Sequence, residues 1–341
     1  MKKILIVLII LVSIGKITYA QDPHFSQFFA SPLTLNPAYT GKFDGVLRVA
    51  GNYRNQWPSI NNAFTTGTLS VDFPILENKI PETDRFGIGF IGLTDRNGNG
   101  ILQNNYLGAS LAYHKGLDED GYQQLGVGFQ GVYTNKRLDL TQAKFEDMLT
   151  TSGFTGVTQE IFANYNELKL NYFDVNAGIM YSGSTTDDNF FYAGVSGYHL
   201  NRPKESFRGA DYVLNSRIAF HGGAYFPIGD NTSLHTSIIH QRQAGSANET
   251  VLGGAIGYTV PGGTTYDNKT TVFYAGAWYR LKDAIIPYVG LEWNDFRLGM
   301  TYDVNTSALK TASNLRGGIE VSLIYIKQRR EGGKPIKCPK F

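Results

Sequence analysis

The sequence predicts one antiparallel transmembrane β-barrel of about fourteen strands, exported behind a signal peptide. Three observations carry this expectation: a secretory leader, short runs of alternating polarity from Gly45 onward, and connections that alternate between long and short.

The leader comes first. Met1-Lys2-Lys3 opens with positive charge, residues 4–12 are an unbroken apolar run, and Thr18-Tyr19-Ala20 offers small residues to a signal peptidase. The apolar run is far shorter than the ~20 residues of a membrane-spanning helix. Cleavage after residue 20 leaves a mature chain of about 320 residues, enough for one large barrel or two ordinary domains.

Alternation is clearest toward the end of the chain. Phe296, Leu298, Met300, Tyr302 and Val304 are interleaved with Arg297, Gly299, Thr301 and Asp303, and Ile319, Val321, Leu323 and Tyr325 with Gly318, Glu320 and Ser322. Successive strand side chains point to opposite faces, so a period of two puts one polarity on each face. Runs of this kind occupy residues 46–56, 63–73, 85–95, 100–113, 122–134, 168–183, 189–200, 212–227, 232–242, 250–260, 271–280, 285–293, 296–305 and 314–326. Many reach the ~9–11 residues that a tilted membrane strand needs. Turn-forming segments separate them, among them Arg96-Asn97-Gly98-Asn99-Gly100 and Pro227-Ile228-Gly229-Asp230-Asn231.

Connection lengths supply a second, independent pattern. With the N-terminus in the periplasm, the longest link (135–167) and those at 201–211 and 305–313 fall outside, and the tight links at 184–188, 227–231 and 294–295 fall inside. The polar strand face carries Arg48, Arg54, Asp174, Glu292, Arg297, Asp303, Arg316 and Glu320, charges of both signs that suit a lumen in which they pair. A soluble β-sandwich has no use for such an inward face. Aromatics near strand ends, namely Trp57, Tyr113, Tyr133, Tyr181, Trp278 and Trp293, are expected to form interfacial girdles. The final strand also carries Arg316-Gly317-Gly318-Ile319-Glu320-Val321-Ser322-Leu323, a polar-x-Gly-x-x-apolar pattern of the kind that barrel-insertion machinery reads.

The chain therefore divides into a signal peptide (1–20), a plug-like segment (21–44), the barrel (45–326) and a basic tail (327–341). The plug-like segment offers Phe25, Phe28 and Phe29 to the wall, and the tail offers Arg329, Arg330 and Cys338 to a periplasmic partner. Solvation is the more ordinary fate of such a tail. Nothing in the sequence supports catalysis, a metal or a cofactor. Gly87-x-Gly89-x-x-Gly92 and Gly126-x-Gly128-x-x-Gly131 lie within strands rather than between a strand and a helix, so they read as room on the lumen side and not as a nucleotide loop. The six histidines show no metal-ligand spacing, and a net charge of +2 gives no reason to expect nucleic acid. A single cysteine excludes an intrachain disulfide.

Three N-terminal blocks carry a resemblance. Gln21-Asp22-Pro23-His24-Phe25-Ser26-Gln27-Phe28, Asn36-Pro37-Ala38-Tyr39-Thr40-Gly41 and Tyr53-Arg54-Asn55-Gln56-Trp57, with Cys338-Pro339 near the end, resemble the PorP/SprF family of outer-membrane proteins of the type IX secretion system in Bacteroidetes. The resemblance implies a FadL-like barrel in the outer-membrane lipids, engaged in secretion and gliding. It also implies two partners: the C-terminal domain of a large secreted adhesin, and periplasmic motor or ring components that include a peptidoglycan-binding lipoprotein. Asn36, Pro37 and Tyr39 join the three phenylalanines as candidate partner-binding or plug residues on this ground. The alternative reading is a FadL-like channel for small apolar solutes.

Overall fold

The computed structural model describes residues 22–60, 64–77, 79–160, 167–186, 188–207, 212–243, 248–261 and 271–328. The expected signal peptide and the tail residues Arg329, Arg330 and Cys338 lie outside the described residues.

Fourteen strands close into an antiparallel barrel. They are β1 (Leu47–Gln56), β2 (Phe64–Ile75), β3 (Arg85–Asn97), β4 (Leu102–Gly116), β5 (Gln124–Asp139), β8 (Glu167–Gly183), β9 (Phe190–Tyr198), β10 (Arg217–Gly229), β11 (Thr232–Gln243), β12 (Asn248–Thr259), β13 (Thr271–Arg280), β14 (Ala284–Trp293), β15 (Phe296–Asn305) and β16 (Arg316–Lys327). The short β6 (Leu149–Thr150) and β7 (Gly153–Phe154) make a separate hairpin inside the longest loop. Pairing of β1 with β16, from Leu47 opposite Lys327 to Gln56 opposite Gly318, removes the last free edge.

The outer surface explains why this sheet belongs in a membrane. Leu69, Leu107 and Phe129 are 63%, 67% and 60% exposed, and many other large apolar residues from every sector of the barrel stand outward with them. A continuous apolar band of this kind suits lipid and is foreign to a soluble surface. Backbone groups are satisfied strand to strand, as a hydrocarbon environment demands. Among the described residues no helix is long and apolar enough to cross a membrane, and none is required.

Two strand limits differ from expectation for identifiable reasons. β10 begins at Arg217 rather than at 212, because Val213 bridges to Lys204 and the Leu214 amide donates to the Pro203 carbonyl at 2.9 Å, folding that stretch across the barrel mouth. β5 runs on to Asp139, since its polar end is paired on both sides, Lys136 lying opposite Asn104 and Leu170.

Three side-chain placements are corrected, the first being Trp57, which was expected in a girdle and lines a lumen cavity at the long-loop end. Arg316 does not join the lumen charges. Asp303 lies opposite Gly318 while Val304 lies opposite Arg316, so Gly317 is bulged out of register. The bulge turns Arg316 to the face of outward-pointing Val304, where it is exposed. Trp278 is no girdle residue: at 1% exposure it is buried inside the barrel.

The lumen candidate site and its N-terminal segment

Residues 22–44 do not extend a strand; they pass through the barrel interior. Local chemistry makes the segment compact. Pro32 occupies the first turn of a four-residue helix, α1 (Pro32–Leu35), where a missing N–H costs nothing. The Asn36 side chain then accepts from the Ala38 amide at 2.8 Å, capping a 3-10 turn that opens on Pro37. At Gly41 the backbone turns with φ of +72°, a conformation that a side chain would strain.

One sector of the wall receives this segment through apolar contact. Phe28, Leu35, Ala38 and Tyr39 pack with Met180, Tyr192, Tyr198, Ile239, Val272, Trp278, Ile286 and Tyr288, which line the inner faces of β8 to β14. The Phe29 ring lies 4.8 Å from that of Trp278 and meets the Tyr288 ring edge-on at 5.7 Å. Phe25 is 5% exposed.

Another sector receives it through missing side chains. A Cβ on Gly87 would lie 2.5 Å from the Thr40 carbonyl oxygen and 2.7 Å from Gly41 Cα, and one on Gly128 would overlap the Pro37–Ala38 peptide. A Cβ on Gly178 would overlap Asn36 Oδ1. Asn36 Nδ2 in turn donates to the Ile179 and Val195 carbonyls at 3.2 and 3.3 Å, and lies 3.0 Å from His221 Nε2, which makes that nitrogen the acceptor. Gly87 and Gly128 therefore admit backbone, not phosphate, whereas Gly92 and Gly131, expected on the lumen side, lie on the outward faces of their strands.

Charge completes the attachment. Glu320 on β16 accepts the backbone amides of Ser26 and Gln27 at 2.7 and 3.0 Å. Asp303 on β15 accepts from Ser26 Oγ at 2.8 Å, from Arg54 at 3.1 Å and from Arg280 at 2.9 Å. Arg280 also lies 3.2 Å from Glu249, which pairs with His24 at 2.9 Å. Nearer the β1 start, Arg48 grips Asp72 with two hydrogen bonds of 2.9 and 2.8 Å and donates to the Tyr39 carbonyl at 2.9 Å. Asp72 accepts the Gly41 amide at 2.7 Å. Lys42, 1% exposed, reaches Gln124. Of the charges expected in the lumen, Arg54, Asp303 and Glu320 come together, Arg48 and Asp174 serve separate clusters, and Glu292 and Arg297 pair with each other at 2.8 Å.

Sequence reasoning missed several of these groups. Asp72, Arg280, Glu249 and Arg217 are lumen partners, and Asp22, His24 and His199 supply the segment's end contacts. The available signal was parity. Tyr274, Trp278 and Arg280 share one face of β13, so burying the tryptophan also buries the arginine.

The Asp22 end forms a latch. His199, one residue beyond β9, is hydrogen-bonded through Nε2 to Asp22 at 2.7 Å and through Nδ1 to Asp174 at 2.8 Å, while Arg217 Nε lies 2.9 Å from Asp22. Burial alone would lower the imidazole pKa, but the two carboxylates outweigh it and raise the value to about 9. Burial likewise opposes ionisation of Asp22, and His199, Arg217 and Lys136 nevertheless hold its carboxyl well below the usual range. A histidine pKa raised in the folded state gives stability that is complete below the unfolded value of roughly 6.5 and is lost as pH climbs through about 9. The lowered Asp22 pKa works at the opposite end, its contribution vanishing only in strong acid. A spin label at Pro23 is therefore expected to stay immobile from pH 5 to 7 and to loosen with a midpoint near pH 9. In His199→Gln this transition should disappear; equal mobility across the range in the unsubstituted latch would contradict the assignment.

Among the described residues, two cavities lie beside the segment. One of 470 Å³ opens at the end bearing the long loops and is lined by Asp22, Trp57, Asp95, Asn104, Tyr106, Lys136 and Tyr172 among others. The second, of 110 Å³, lies between Phe25, Leu33, Ile91 and Ile239 with Asp174 and Arg217 at its side. Among the described residues no group of three or more His, Cys, Asp or Glu side chains is placed to hold a metal ion.

The family model described as type IX secretion system membrane protein PorP/SprF matches residues 17–325. No curated protein matches the chain. Among solved structures it is similar to the toluene transporter TodX of Pseudomonas putida, with 11% identity over 89% of this chain and 94% of that one and a TM-score of 0.49. A Pseudomonas aeruginosa FadL homologue shows 12% identity over 87% and 94% of the two chains, with a TM-score of 0.47. The KdgM porin shows 7% identity over 82% and 98%, with a TM-score of 0.38.

Proposed function

Because this chain belongs to the PorP/SprF family of type IX secretion system membrane proteins, we propose that it is an outer-membrane component of that export apparatus, serving as an anchoring barrel and not as a solute pathway. Its partners in this reading are the C-terminal domain of a large secreted, adhesin-like protein and periplasmic secretion components, among them a peptidoglycan-binding lipoprotein. Gliding is the cellular activity such a surface adhesin would support. The leader at residues 1–20 directs export, and barrel-insertion machinery reads the last strand.

One observation carries the choice between anchor and channel: the lumen is occupied by residues 22–44, bonded to the wall on several sides. A channel for small apolar solutes needs a continuous apolar cavity, and ligand pockets typically measure ~300–1,000 Å³. Here the cavity beside the segment's apolar residues is 110 Å³, and the larger one sets carboxylate, amide and ammonium groups among its aromatic walls. Each charge left unpaired beside an apolar solute adds a desolvation cost.

A deletion strain tests the reading. Loss of the protein is expected to abolish surface display of one large secreted substrate while hydrocarbon and fatty-acid uptake stays normal. Intact display with reduced uptake would replace the anchor by the channel.

A further inference from the structure

We propose that the cavity at the long-loop end is a binding site for a guanidinium or ammonium group carried on an apolar stem, as in an arginine or lysine side chain. This inference does not rest on the export reading.

Its centre is Asp95 on β3, 4% exposed and facing the cavity. Only neutral donors serve this carboxylate. Thr66 Oγ1 donates at 2.7 Å, Asn104 Nδ2 at 3.4 Å, and Asn97 donates as well. No lysine, arginine or histidine forms an ion pair with Asp95 among the described residues. Lys136, a cation lining the same cavity, acts on Asp95 through space but makes its ion pair with Glu205.

The two amides point to the missing partner. Because each spends its NH₂ on Asp95, each leaves its carbonyl oxygen as an acceptor. Asn97 Oδ1 and Asn104 Oδ1 are both buried with no hydrogen-bond partner, and Asn104 as a whole is 5% exposed. A carboxylate served by neutral donors alone and two amide oxygens without a hydrogen-bond partner thus gather in one cluster beside the cavity. A buried acceptor left unmade is costly, so the site calls for a ligand rich in N–H donors and positively charged. Guanidinium presents five such donors in a plane, and ammonium presents three. Trp57, Tyr106 and Tyr172 line the same cavity, supplying apolar surface for a methylene stem and ring faces for a cation. Its 470 Å³ has room for one long side chain with flanking peptide.

The test uses the full chain purified in detergent, with binding read by calorimetry. Acetyl-Gly-Arg-Gly-amide is the probe, and the same peptide with citrulline removes the charge while keeping the shape. The arginine peptide is expected to bind about tenfold or more tightly than the citrulline peptide. Asp95→Asn should erase that difference, and Asn104→Ala should weaken the arginine peptide while the barrel keeps its heat-modifiable migration. Free arginine and spermidine form the second arm. Binding of the free cations as tight as that of the peptide assigns the site to small cations, whereas a preference for the blocked peptide assigns it to a polypeptide. Equal affinity for the arginine and citrulline peptides would overturn the proposal, as would undiminished discrimination in Asp95→Asn or displacement of the peptide by Ca²⁺.

Discussion

Gly178→Val is expected to expel the N-terminal segment from the lumen while leaving the barrel inserted. A Cβ at this position falls on Asn36 Oδ1, and the residue that must yield is itself held by three hydrogen-bond partners on the wall. Overpacking in an adaptable core costs ~1–3 kcal/mol, occasionally more, and this site lies at the severe end because the added Cβ would overlap Asn36 Oδ1 and stand 2.7 and 3.1 Å from Cγ and Nδ2 of the same side chain. The readout is maleimide labelling of Ala30→Cys in a Cys338→Ser background, since Ala30 is 3% exposed when the segment is seated. Labelling should be slow in the parent and fast with Gly178→Val. Gly92→Ala is the control, because its Cβ would meet no atom within 4 Å. Slow labelling in both variants would show that the segment is not packed against β8 as described.

Arg280→Met is expected to destabilise the folded barrel by ~3–5 kcal/mol, the usual cost of stripping one partner from a buried ionic cluster. This guanidinium stands 2.9 Å from Asp303 and 3.2 Å from Glu249, and donates to Ser26 Oγ at 2.6 Å. Methionine fills similar volume, so the loss reports charge and hydrogen bonding more than packing. It should appear as a lower urea midpoint for the heat-modifiable form. Adding Asp303→Leu should recover part of the loss, because the stranded carboxylate is then removed. An unchanged midpoint in the single variant would mean that the cluster contributes nothing to holding β13, β15 and the N-terminal segment together.

The barrel was legible in the sequence because lipid on one side and polar groups on the other impose a period of two. Where that contrast is strong, as in Phe296–Asn305, the expected and observed strand limits coincide. The lumen was legible only in part. Reading polar faces found Arg48, Arg54, Asp303 and Glu320, all on strands whose inner face is hydrophilic. It failed on β13, where Val272, Tyr274 and Trp278 face inward and Phe273 and Tyr279 face outward, so both faces read as apolar and Arg280 was not singled out. That apolar inner wall exists because the N-terminal segment brings its own apolar side chains, a match that becomes visible only when both are in place. Arg316 was misplaced by a single bulged glycine, an irregularity that alternation cannot anticipate. The acceptor cluster around Asp95 is similarly tertiary, since Thr66, Asp95 and Asn104 come from three strands.

The N-terminal segment fills the barrel lumen, and the proposed anchoring role requires that it close the lumen to solutes. Ion current across a planar bilayer tests it most directly, comparing the full chain with one lacking residues 22–40. The full chain should be silent, and the shortened one should insert and conduct steadily through the vacated lumen. Steady conductance from the full chain, equal to that of the shortened form, would show that the segment does not close the lumen.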